Sequence, residues 1–255
     1  MHLYQGDLLY HASLSPDEYT SLLDSIGFEV IAHAVEDWQT RDTDRLFRVV
    51  IPSMLATEVV MTSIEKLVRP ARIGDADVLA ELVDYAGEGL PNYLWHRIAG
   101  PGETAQEVGR KRAARQTGSF SYRNATMIEH AGRAAGTLIG YVVPDAPEPI
   151  PTDMPAIFVP LQELENQAPG TWYVNVLAVL PQFRNLGLGT ELLRIADDNG
   201  RKLGKRGMSV IVSDANIGAR RLYERLGYRE TARRTMVKEQ WVNERHEWVL
   251  ITKVL

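Results

Sequence analysis

The stretch that most constrains this chain runs from Trp172 to Leu180, apolar at every position except Asn175 and closed by Pro181. An apolar run without alternation is the signature of a strand buried on both faces, as in a parallel sheet. Downstream come Gln182-Phe183-Arg184-Asn185-Leu186-Gly187-Leu188-Gly189-Thr190, an amphipathic helix expected over 188–203, and a further strand from Met208 to Val212. Strand, glycine turn, helix and strand together predict a β-α-β unit, and in such units ligands collect beyond the carboxyl ends of the strands. With 255 residues the chain is long enough for one large domain, or for a mid-sized one with an appendage. A hydrophobic share of 45% with 24% charged residues is that of an ordinary globular protein. The absence of cysteine excludes disulfides, thiolate metal sites and a cysteine nucleophile. A net charge of −5 gives no general attraction to nucleic acid. No apolar stretch is long enough for a membrane helix, and Met1 to Leu14 does not read as a secretory signal, so a cytoplasmic location without nucleic-acid or membrane partners is expected.

The rest of the chain falls into two blocks. In the first, Ser15-Pro16-Asp17-Glu18 opens a helix carrying Tyr19, Leu22, Leu23 and Ile26 and stopping at Gly27. Strands are expected over Phe28–Val35 and Leu46–Ile51, an α/β unit too small to stand alone. The second block starts at Met61. It predicts a strand at Leu67–Arg72, a helix after Asp75, two helical pieces in 90–115 split by Gly100-Pro101-Gly102, and a hairpin of Asn124–His130 with Ala134–Val143 around Gly132-Arg133. Six of the 13 prolines lie between 144 and 160, which predicts a loop or lid in place of a regular element. A helix over Ile217–Leu226 and strands near 228–238 and 246–254 complete a mixed α/β pattern.

Glycines at 187 and 189 let backbone N–H groups approach a ligand, and a helix start adds unpaired donors and a positive dipole end, which together suit a pyrophosphate. Arg184 offers a cation to the same group. Gly187-x-Gly189-x-x-Leu192 also has the outline of a truncated dinucleotide fingerprint, with Asp214 downstream. Leu192 in the third position and residues 181–186 ahead of Gly187 weigh against it, and no P-loop motif occurs. A second segment decides between these readings: Asn216-Ile217-Gly218-Ala219-Arg220-Arg221-Leu222-Tyr223-Glu224-Arg225-Leu226-Gly227-Tyr228. Taken together the two segments resemble the GNAT superfamily of acyl-CoA N-acyltransferases over about residues 66–255. Arg184, Gly187 and Gly189 match its phosphate loop, and Asn216, Ala219, Leu222, Tyr223 and Gly227 match its later motif, with Tyr228 in place of a phenylalanine. Asn185 stands where the family usually has glycine, and asparagine tolerates the left-handed backbone.

The resemblance implies the GNAT fold, a mixed central sheet flanked by helices, here over 61–255 and preceded by a small α/β appendage over 1–60. It implies transfer of an acetyl group from acetyl-CoA directly to a primary amine, small-molecule or protein, with acetyl-CoA as co-substrate and no metal. Leu177 and Val179 would pair their backbone with the pantetheine arm, and Asn185, Leu186, Gly187, Leu188, Gly189 and Thr190 would hold the pyrophosphate, with Asn216 and Ala219 beside them. Tyr223 matches the family's general acid. Where many relatives carry a strand glutamate, the inward positions are Tyr173 and Asn175, on the substrate side, and neither is a base at neutral pH. Glu129, Glu163, Glu165 or a water relay are the candidates for that task. His96 and His130 lack metal-ligand spacing. Arg201, Lys202, Lys205, Arg206, Arg220, Arg221 and Arg225 are candidates for the 3′-phosphate of CoA, against the reading of a solvated face. Residues 1–52 resemble the last helix and strands of a class I SAM-dependent methyltransferase, without the half that binds SAM. The competing readings are a non-catalytic acyl-CoA-binding regulatory module and a regulatory protein whose N-terminal unit docks a partner. A second copy of the chain, as a homodimer, is a candidate partner.

Overall fold

The computed structural model describes residues 66–255 and three short strands ahead of them, β1 (Glu29–Val30), β2 (Phe47–Val50) and β3 (Val59–Met61). The expected helix over 15–26 lies outside the described residues. The chain divides into two units, Met1–Glu65 and Lys66–Leu255. In the first, β1, β2 and β3 form an antiparallel sheet in that order, so Met61, expected to open the second block, is the last residue of β3.

The second unit begins with β4 (Lys66–Pro70) and α1 (Ala76–Ala86). Helical spacing puts Leu79, Leu82 and Val83 of α1 into the core. Asp75 stands at the N-cap position, but its carboxylate turns back to accept from the Arg72 N–H at 2.6 Å and to pair with Arg69 at 2.7 Å. α2 (Leu90–Ile98) and α3 (Ala105–Ala113) are separated by the expected glycine-proline break. Thr104 and Glu107 close a capping box on α3 that the sequence reading overlooked. β5 (Ala125–His130) and β6 (Arg133–Val142) form the hairpin. Its turn is one residue earlier than expected, with Ala131 and Gly132 both at positive φ as a two-residue hairpin loop requires.

The proline-rich segment is irregular over 144–155, as expected, and turns helical only at its end, which the sequence reading did not anticipate. α4 (Val159–Glu165) starts with Pro160 in its first turn, where the missing N–H costs nothing, and buries Pro160 and Leu164. It is followed by β7 (Thr171–Val179), α5 (Leu188–Lys202), β8 (Gly207–Ser213), α6 (Ile217–Arg225), β9 (Arg229–Thr235) and β10 (Glu247–Val254).

The seven strands order as β4-β5-β6-β7-β8-β10-β9, antiparallel throughout except for the parallel pair β7–β8. That pair is short. It runs from Thr171 opposite Gly207 to Val174 opposite Val210, although β7 continues to Val179 and β8 to Ser213. Leu192, Leu193 and Ala196 of α5 pack with Trp172, Val174 and Val176 in the main core. A second cluster of Leu90, Ile157, Leu164, Trp241, Trp248 and Leu250 gathers beneath α4.

Candidate active site

Beyond Val174 and Val210 the two parallel strands part, and the gap opens into a cleft of about 400 Å³. One wall is β7 from Val174 to Val179, the other is β8 from Val210 to Ser213 with Trp248 of the neighbouring strand. Each wall is a strand edge whose backbone groups toward the gap lack a ladder partner.

The mouth of the cleft is built by the glycine turn. A 3₁₀ turn over Pro181–Phe183 ends the strand and buries Phe183. Asn185 then takes φ +63° and Gly187 φ +75°, the left-handed geometry expected of asparagine and glycine here. Gly187 is the N-cap of α5 and supplies no side-chain cap, so among the described residues the first amides of the helix lack a capping side chain, and Gly187 to Thr190 line the cleft. Leu188 and Gly189 face different surroundings: the Leu188 side chain is buried in the core, and a Cβ at Gly189 would lie 3.0 Å from Leu222 of α6. Arg184 is exposed at the mouth, its Nε donating to the Val179 carbonyl at 3.4 Å.

α6 closes the cleft from below. Asn216 caps it, its Oδ1 accepting from the Ala219 N–H at 3.2 Å, which accounts physically for the Asn-x-x-Ala spacing. Tyr223 is 4% exposed and its ring packs 5.5 Å from that of Tyr228, while the residue also lines the cleft. Burial pushes its phenol above the ordinary tyrosine range, so the hydroxyl keeps its proton through neutral pH.

The two substrate-side candidates separate. Asn175 is exposed and lines the cleft. Tyr173 is buried, at the penultimate pair before the strands part, and is outside the lining; burial, then Glu165 and Tyr223, raise its pKa. Of the glutamate candidates, Glu129 accepts from Arg69 at 2.6 Å and Glu163 from Arg234 at 2.5 Å, each bound to a cation. Of the seven basic candidates only Arg225 lines the cleft. Arg220 is held by Glu230, Arg201 by Asp198 and Arg206 by the Pro169 carbonyl.

Two further residues were missed by the sequence reading. Ser213 is 1% exposed, lines the cleft, and its Oγ has no hydrogen-bond partner among the described residues, an expensive arrangement for a buried hydroxyl unless a ligand completes it. Trp248, paired with Ser213 in register, presents an aromatic wall backed by Trp241 at 6.1 Å. Among the described residues no group of three acidic or histidine side chains is arranged to hold a metal, and no helix is long and apolar enough to cross a membrane.

Residues 95–228, more than half of the chain, match the model of the Acetyltransferase (GNAT) family. The chain belongs to the GNAT acetyltransferase family. Solved structures share the fold. An acetyltransferase crystal structure matches at 23% identity and a TM-score of 0.52, covering 74% of this chain and 98% of that one. The mosquito arylalkylamine N-acetyltransferase like 5b matches at 17% identity and a TM-score of 0.52, covering 75% of this chain and 100% of its own. The Drosophila melanogaster polyamine N-acetyltransferase matches at 17% identity and a TM-score of 0.50, with the same coverage of 75% and 100%. No curated protein matches the chain. This GNAT chain is thus an acyltransferase.

Proposed function

We propose that this enzyme transfers an acetyl group from acetyl-CoA to a primary amine by direct attack within the β7–β8 cleft, and that Lys66–Leu255 carries the activity. The observation that carries this reading is the coincidence in one cleft of a parted parallel strand pair, an uncapped helix start at Gly187 and a buried, protonated Tyr223. The open edge of β7 offers backbone groups of Leu177 and Val179 to an amide-bearing arm, which would dock as a missing strand. Amides from Asn185 to Thr190 would receive the pyrophosphate. Tyr223 would protonate the departing sulfur, and backbone donors at the point where the strands part would steady the oxyanion. The test is a panel of amines with acetyl-CoA, following free CoA. Amine-dependent release supports transfer. Tight acetyl-CoA binding with no release from any amine would reduce the protein to a binding module.

A further inference from the structure

Glu165, the last residue of α4, differs from the other glutamates near this site. It has no cationic partner among the described residues. Its Oε2 accepts from the Tyr141 hydroxyl at 2.6 Å, and its Oε1 has no hydrogen-bond partner there. The sheet register ties this pair to the cleft. Tyr141 lies opposite Tyr173 on β7, their rings 5.2 Å apart, on the sheet face away from Trp172 and Val174. Tyr173 in turn stands opposite Ser209, one pair before the β7–β8 pairing ends at Val174 and Val210. A line of polar groups therefore leads from α4 to the point where the strands part.

We propose that Glu165 is the proton acceptor for the incoming amine, with Tyr141 a positioning residue that holds its carboxylate. The proposal rests on the acetyl-transfer reading and assigns the base that β7 itself lacks. The arriving ammonium gives one proton through a bridging water to Glu165 Oε1, which stands behind the cleft lining, and its freed lone pair attacks the thioester carbonyl carbon. The C–N bond forms and the C–S bond breaks. Sulfur leaves with the Tyr223 proton, and the phenol is restored by the second proton shed from nitrogen. Glu165 then releases its proton to water, so the products are one amide, one thiol and one proton.

Burial lifts the Glu165 carboxyl above the usual carboxylate range, and the charge of Glu148 adds to this, while the Tyr141 bond acts the other way. That direction suits a base working near neutral pH. The groups facing it are Tyr141 of β6, Tyr173 of β7 and Glu148 of the proline-rich segment. β8 brings no charged side chain, and the charges on β9 and β10 near α4 are taken: Arg234 by Glu163, Arg233 by Glu230 and Glu247, Lys253 by Asp197.

The test measures kcat/KM for CoA release against pH in the full chain, using the best amine of the panel, with acetyl-CoA affinity by calorimetry as control. Glu165→Gln is expected to lower kcat/KM by about 10²-fold at neutral pH, the scale of general-base loss, and to abolish the acidic limb, with affinity for acetyl-CoA retained. Tyr141→Phe keeps the carboxylate but removes a bond that favours its ionised form, so the acidic limb should move to higher pH. Wild-type rate and limb in Glu165→Gln would overturn the proposal. So would an equal loss at every pH with the limb of Tyr141→Phe unmoved, which marks packing alone. A wild-type chain that releases no CoA with any amine fails the transfer reading first, and this proposal with it.

Discussion

The two halves of the β7–β8 interface are built from one pair of strands and do opposite things. From Thr171 to Val174 the strands pair with Gly207 to Val210 and the interface is closed. There the Thr171 hydroxyl donates to the Ala168 carbonyl at 2.7 Å, so Ser209, 2.7 Å away, must be the donor in the bond between the two hydroxyls. Both residues are buried and every polar atom in that set has a partner. From Asn175 onward the same strands present an exposed amide, an orphaned serine hydroxyl and an unladdered edge. The closed half contributes stability and the open half gives some of it up, which is the arrangement expected where ligand groups complete the hydrogen bonding.

This contrast can be broken from either side. The largest effect belongs to the closed half. Trp172 is 5% exposed and packs against Gly200 of α5 and over Gly140 of β6. Trp172→Ala should cost about 3–5 kcal/mol in urea unfolding, through lost burial and the cavity left behind. A small loss would mean that the core beneath the paired half can collapse around the gap. In the open half, Tyr223→Phe removes one hydroxyl from a packed ring. It should lower kcat by about 10²-fold at unchanged acetyl-CoA affinity and nearly unchanged Tm, whereas a wild-type kcat would leave Tyr223 a packing residue.

At the mouth, a Cβ at Gly187 would have no atom within 4 Å, so the cost of Gly187→Val is the left-handed backbone that a β-branched residue resists and the bulk placed before the first amides of α5. Acetyl-CoA affinity should fall by about tenfold in calorimetry with normal circular dichroism, a difference of about 1.4 kcal/mol. The smallest effect sharpens the comparison most. Ser213→Ala removes a buried hydroxyl that has no partner among the described residues, so stability should hold or rise by less than about 1 kcal/mol. KM for acetyl-CoA or for the amine should rise a few-fold. The same change at Ser209, whose hydroxyl is bonded, should instead destabilise the fold.

How much of this was legible in the sequence depended on the range of the signal. The apolar run of β7, interrupted only at Asn175, the glycine turn and the Asn-x-x-Ala cap are local, and the elements they predict are present within a residue or two. The positive φ of Asn185 is a geometry that asparagine tolerates in the place where the family usually has glycine. α4 was hidden because proline reads as a breaker unless it falls in the first turn, as Pro160 does. The bond from Tyr141 to Glu165 depends on strand register and on how α4 packs across β8, β9 and β10, and no short motif encodes that. Ser213 looks like an ordinary strand serine until the divergence of β7 from β8 takes away its neighbour.

That divergence also leaves an imprint on solvent exchange. Between Val176 and Val179, past the bulge at Asn175, β7 is still paired on one side, with Val176 opposite Ile139 and Val179 opposite Gly136 of β6, while its other edge faces the cleft. Backbone amides along a strand point alternately to the two sides. Deuterium uptake along these residues should therefore alternate between slow and fast with a period of two, a pattern that neither a fully paired strand nor a frayed one produces. Saturating acetyl-CoA should slow the fast members alone, turning the zigzag into a uniform trace. The strand thus carries its own gauge of whether the gap beside it is filled.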